Sequence, residues 1–107
     1  MLRPTGGAML VHTVFFWLKP ELTTAQRAAF RQGVESLGAI KSVEKLYLGT
    51  PAATEKRPVI DHSFSVGLTV LCQDPAAEKA YQTDPIHLEF VKNCHAFWTR
   101  VQVYDFE

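Results

Sequence analysis

One segment constrains this chain more than any other: Leu10–Leu18, LVHTVFFWL. Its β-branched and aromatic side chains favour a strand, and Lys19-Pro20 ends it, since proline has no amide hydrogen to give to a ladder. Successive side chains of a strand point to opposite faces. One face carries Leu10, His12, Val14, Phe16 and Leu18; the other carries Val11, Thr13, Phe15 and Trp17. Both are dominated by apolar groups, so a sheet built on this strand needs cover on both sides. The same run from Met9 is about half of the ~20 residues a membrane-crossing helix requires, and it contains His12.

The elements that follow decide what supplies that cover. Thr23 with Gln26 three residues on fits a capping box, which predicts a helix over Thr24 to Leu37 with Phe30, Val34, Leu37 and Ile40 on its apolar stripe and Gly38 near its stop. Val43–Leu48 reads as a short strand closed by Gly49-Thr50-Pro51, followed by a polar loop holding Glu55, Lys56, Arg57 and Pro58. Ile60–Leu71 alternates, with His62, Phe64, Val66, Leu68 and Val70 on one face and Asp61, Ser63, Ser65, Gly67 and Thr69 on the other. Asp74-Pro75 and Asp84-Pro85 each place a capping carboxylate before a proline at the first helical position, predicting a second helical region interrupted midway. Its later part aligns Ile86, Phe90, Val91, Cys94, Phe97 and Trp98, and Arg100–Phe106 reads as a final strand.

Strand, helix, strand, strand, helix, strand is the order of an α+β, ferredoxin-like split βαβ fold, a four-stranded antiparallel sheet with two helices on one face. Helices on one face leave the Phe15 and Trp17 side bare, and a second copy of the sheet would cover it. A homodimer packed sheet to sheet is therefore expected, with Ser63, Ser65 and Gly67 small enough for a close approach. The aromatic residues Phe15, Trp17, Phe97 and Trp98 fall into strand and helix stripes and read as packing rather than as a nucleobase platform.

With 107 residues the chain suits a single domain, expected over residues 9–107. Residues 1–8, MLRPTGGA, have the composition of a flexible arm, and Met9 is an alternative start. Eleven basic residues balance eleven acidic ones, so no basic field exists for nucleic acid or an anionic membrane. No secretory pattern opens the chain, and a cytoplasmic location is expected. Cys72 and Cys94 lack metal or redox spacing and are expected reduced and packed.

Taken in order, VHTVFFWLKP, VEKLYLGTPA, VIDHSFSVGLTV, AYQTDPIHLEFV and VQVYDFE resemble the stress-responsive dimeric α/β barrel family, Dabb, over about residues 10 to 107. The resemblance implies a ferredoxin-like protomer whose sheet joins a partner's in a dimeric α/β barrel. The family includes plant stress proteins and a plant polyketide cyclase that closes a ring by cofactor-free aldol chemistry. That resemblance gives His87 and Tyr81 catalytic acid/base roles and makes His12 and His62 pocket residues.

The residues themselves bear on those roles. Capped by Asp84, His87 falls at the third helical position, where the helix dipole disfavours an imidazolium; a neutral ring can accept and return a proton. Tyr81 lies across the Asp84-Pro85 break, where a phenol can donate a hydrogen bond to a developing enolate. By strand parity His12 and His62 both point toward the helices, whereas Asp61 points away, so no acidic ligand completes a metal site and no cofactor is expected. Three readings follow: a homodimer binding a small, largely apolar organic ligand through His12, His62, Tyr81 and His87; a polyketide-cyclase-like enzyme using His87 and Tyr81; and a structural stress-response dimer without ligand.

Overall fold

The computed structural model describes residues 9–107; the expected arm at residues 1–8 lies outside the described residues. The elements are β1 (Leu10–Leu18), α1 (Thr24–Ser36), β2 (Lys45–Gly49), β3 (Val66–Cys72), α2 (Pro75–Thr83), α3 (Pro85–Cys94) and β4 (Trp98–Phe106). The strands form one antiparallel sheet in the order β2-β3-β1-β4, the ferredoxin-like arrangement expected from the element order.

The helix starts are built as their sequences dictate. Thr23 Oγ1 accepts from the Gln26 amide at 3.1 Å, and Gln26 Oε1 accepts from the Thr23 amide at 2.8 Å, so two otherwise unpaired donors are satisfied at once. Asp74 caps α2 through the Ala77 amide and Asp84 caps α3 through the Ile86 amide, each at 2.8 Å. Asp84 serves both helices: its own N–H closes α2 on the Tyr81 carbonyl while its carboxylate opens α3. One extended residue therefore separates the helix bearing Tyr81 from the helix bearing His87. α1 ends one residue earlier than expected and runs into a 3₁₀ turn over Leu37–Ala39, with Gly38 inside the turn rather than in a left-handed cap.

The core lies between the sheet and the helices, with Tyr81 of α2 and Phe90 and Cys94 of α3 buried alongside α1. Phe16, Leu68 and Val70 from the strands meet Phe30, Val34 and Leu37, all buried. Burying each such side chain contributes roughly 1.5–3 kcal/mol. α1 and α3 approach closely at Gly33, where an added Cβ would stand 2.9 Å from Cys94 Sγ and 3.1 Å from Phe90.

Three strand expectations need correction, the smallest being β2, which runs Lys45–Gly49 rather than from Val43 to Leu48. The alternation of Ile60–Leu71 continues the pattern of β3, but the ladder begins only at Val66. The chain bends at Ser65, whose amide donates to the Phe16 carbonyl at 2.7 Å and whose hydroxyl accepts from the Leu18 amide at 2.9 Å. Upstream of that bend, parity no longer assigns faces. Phe64, expected toward the helices, instead packs on Phe15 with ring centroids 4.8 Å apart, close to Gly67. Trp98, expected on the last helix, is the first residue of β4 and packs on Phe16 at 5.2 Å.

The far face of the sheet is aromatic. Phe15 and Trp17 are joined there by Tyr104 and Phe106, which pair with Thr13 and Val11, and by Tyr47. Tyr47, Tyr104 and Phe106 are each more than half exposed.

Candidate ligand site

The β1–β4 register places Val101 and Val103 opposite Phe16 and Val14, on the helix side of the sheet. The helices do not close over them, and these valines remain 42% and 41% exposed. Between them and α2–α3 lies a cavity of about 210 Å³. Its wall is mostly apolar, with Val14, Phe16, Phe90, Val101 and Val103, and its polar edge is His12, Tyr81, Gln82 and His87. The volume falls below the ~300–1,000 Å³ of sites for drug-sized ligands and suits a smaller molecule.

Three of the four expected site residues meet here. Tyr81 stands edge-on to both histidines, 5.7 Å from His12 and 4.8 Å from His87 between ring centroids. Burial pushes the Tyr81 phenol far above its ordinary range, with Cys72 and Glu78 adding to the effect, so it stays protonated and able to donate. His87 is the third residue of α3, as its cap predicts. Its pKa is lowered, first by burial and then by His12, against smaller opposing effects of Glu78 and Asp84. The direction matches the neutral imidazole expected from the helix terminus, but burial is the leading cause. Its Nδ1 is buried and has no hydrogen-bond partner among the described residues.

His62 is not part of this cavity. It precedes the bend at Ser65, where parity fails, and its Nε2 lies 3.0 Å from Thr54 Oγ1 in the loop before β3. The placement of His62 beside His12 and His87 is thus corrected.

Three residues that the sequence reading passed over complete the polar end. Asp105 Oδ1 lies 2.6 Å from His12 Nδ1, and Glu78 Oε2 lies 3.8 Å from the same nitrogen. Gln82 Nε2 donates to Glu78 at 2.7 Å and stands 3.5 Å from His12 Nε2. The signal for Asp105 was available in principle: β1 and β4 are neighbours in this topology, and antiparallel pairing puts His12 opposite Asp105. Glu78 and Gln82 share one face of α2 at an i, i+4 spacing. Among the described residues no group of three His, Cys, Asp or Glu side chains is arranged to hold a metal ion, and no helix is long and apolar enough to cross a membrane.

The family profile described as the Stress responsive A/B Barrel Domain, Dabb, matches residues 10–107. The chain belongs to the Dabb family. A crystal structure of a Dabb family protein with a ferredoxin-like fold from Mesorhizobium loti is similar to it, with a TM-score of 0.74 and 25% identity over 92% of this chain and 95% of that one. A dimeric ferredoxin-like protein of unknown function from Thermobifida fusca aligns with a TM-score of 0.75 at 15% identity, covering 94% of this chain and 92% of its own. The hydroxynitrile lyase from Passiflora edulis aligns with a TM-score of 0.77 at 20% identity, covering 92% and 91%. At these identities the last two likenesses establish the fold. No curated protein matches the Dabb chain in sequence.

Proposed function

We propose that this Dabb protein is a homodimer that binds a small, largely apolar organic ligand in the cavity between β4 and the α2–α3 pair. The observation that carries this reading is the cavity itself, an apolar space with Tyr81, His87 and His12 at one edge. A purely structural dimer would have no use for such a space, since void lining forfeits packing contacts. The dimer reading draws on the exposed aromatic residues of the far sheet face and on the relative described as dimeric. Two unbridged, buried cysteines suit a reducing compartment and support a cytoplasmic location.

Differential scanning with a panel of small neutral aromatic and carbonyl compounds tests the ligand. A compound at ten times its dissociation constant stabilises the folded state by roughly 1.4 kcal/mol. The stabilisation is expected in the wild type and absent in Val103→Trp, whose indole would fill the cavity. A panel without effect on the wild type, or with equal effect on the filled variant, contradicts the reading.

A second reading, cofactor-free acid–base catalysis, is favoured by one observation: the two edge groups are shifted in opposite directions. Neutral His87 can accept a proton from a carbon acid or hydroxyl, while the phenol of Tyr81 stays protonated to steady the oxyanion that forms. Cyanohydrin cleavage is a suitable assay because the Passiflora relative is a hydroxynitrile lyase. Under this reading the assay loses its turnover in both His87→Ala and Tyr81→Phe with the fold intact.

A further inference from the structure

We propose that Asp105 fixes His12 as a hydrogen-bond acceptor at the polar end of the cavity, and that the ligand is accordingly a small neutral molecule with a hydroxyl or enol to donate. This inference rests on the cavity being a ligand site and specifies what that site selects.

Two contacts agree on one His12 tautomer, the shorter one requiring its Nδ1 proton. An ionised carboxylate only accepts, so the 2.6 Å contact between Asp105 and His12 Nδ1 requires the proton on Nδ1. The Gln82 amide is oriented by its 2.7 Å bond to Glu78, because the opposite orientation would set its oxygen against a carboxylate oxygen. Its nitrogen faces His12 Nε2, and an amide nitrogen only donates, an arrangement that accords with a lone pair on that Nε2. At 3.5 Å this second contact is long, and a ligand hydroxyl at ordinary distance would outcompete it. Asp105 is held in place by the backbone, directly across the β1–β4 ladder from His12.

Charge narrows the ligand further. Asp105 and Glu78 both face the His12 ring, and among the described residues the cavity wall includes no lysine or arginine. A carboxylate ligand would meet like charge at the polar end, with no lysine or arginine among the described lining residues to offset it. A neutral donor meets the His12 lone pair, and the Tyr81 hydroxyl can serve an oxygen on the same ligand.

Nitrogen-15 NMR of the histidine rings near neutral pH tests the tautomer. Wild-type His12 is expected as the Nδ1–H form. Asp105→Ala, which removes a half-exposed side chain, is expected to raise the Nε2–H share by about tenfold, and Asp105→Glu to restore the wild-type pattern. An Nε2–H wild-type ring overturns the Asp105 argument, and a doubly protonated ring overturns the acceptor role of His12. Phenol, anisole and benzoate, titrated against the same signals, test the ligand class. Phenol is expected to bind about tenfold tighter than anisole, which lacks the donor, and benzoate weakest. Equal binding of anisole or benzoate overturns the class. If none of the three binds, the cavity reading falls and the ligand class with it, whichever tautomer His12 shows.

Discussion

The helix-side layer has two halves that begin from similar residues and end differently. Beneath the middle of α1 the core is filled, with Phe30 and Val34 fully buried and the Phe16 and Phe30 rings meeting at 5.1 Å, while a separate cavity of about 220 Å³ lies at the edge of this half between Leu18, Phe30 and Val66. Beneath α2 and α3, Tyr81, Phe90 and Cys94 are buried too, but a cavity of about 210 Å³ opens beside them and the valines of β4 stay partly open. The difference traces to helix continuity. α1 is one 13-residue helix whose stripe lies along the sheet. The second helical region is cut at Asp84-Pro85 into helices of nine and ten residues, which cannot cover β4 as one rod would. Proline and a capping carboxylate at one position thus create both the gap and the juxtaposition of Tyr81 with His87. One half is the more closely packed; the other leaves the space that the proposed ligand would occupy.

The largest expected effect separates the halves directly. Phe30→Ala should cost about 3–5 kcal/mol in urea unfolding, whereas Val103→Ala, on a half-open wall, should cost less than about 1 kcal/mol. Equal losses would erase the distinction. Next comes the far face of the sheet: Tyr104→Ala should raise the dimer dissociation constant by roughly 30-fold in sedimentation equilibrium if that face is the interface. An unchanged constant would move the interface elsewhere.

Smaller effects belong to the hollow half and depend on pH. His87 has a folded-state pKa below its unfolded value near ~6.5, so its contribution is complete above that pH and is lost as pH falls through the folded-state value. His87→Gln should flatten this part of the acid limb. Tyr81 is shifted upward, so its contribution is complete below about pH 10 and is lost as pH rises further; Tyr81→Phe should remove that alkaline loss. Stability curves that keep their shape in both variants would contradict the electrostatic account. The smallest effect is at the exposed Arg31–Glu35 pair on the packed half, whose removal should change stability by no more than about 0.5 kcal/mol.

Much of the fold was legible because it is written in local chemistry. Thr23 with Gln26, Asp74-Pro75 and Asp84-Pro85 each act within four residues, and the structure places each cap as expected. The two-faced apolar pattern of β1 likewise survives, with Val14 and Phe16 inside and Phe15 on the far face. What failed needed information beyond the neighbouring residues. His62 and Phe64 lie before a bend made by hydrogen bonds from Ser65 to β1, which no alternation pattern records. Asp105 joins His12 across 93 residues, through a strand register that becomes readable only once β1 and β4 are known to be neighbours. Glu78 and Gln82 reach the site through the rotation of α2, and an apolar stripe says little about which polar residues flank it.

The most direct test of the account is a titration of methyl-labelled protein with phenol, following valine, leucine and isoleucine signals. Saturating shifts are expected at Val14, Val91, Val101 and Val103, which line the cavity, and none at Val34 or Ile40 in the packed half. Shifts spread evenly over both halves, or none that saturate at the cavity valines, would contradict the claim that the broken helix holds a ligand site.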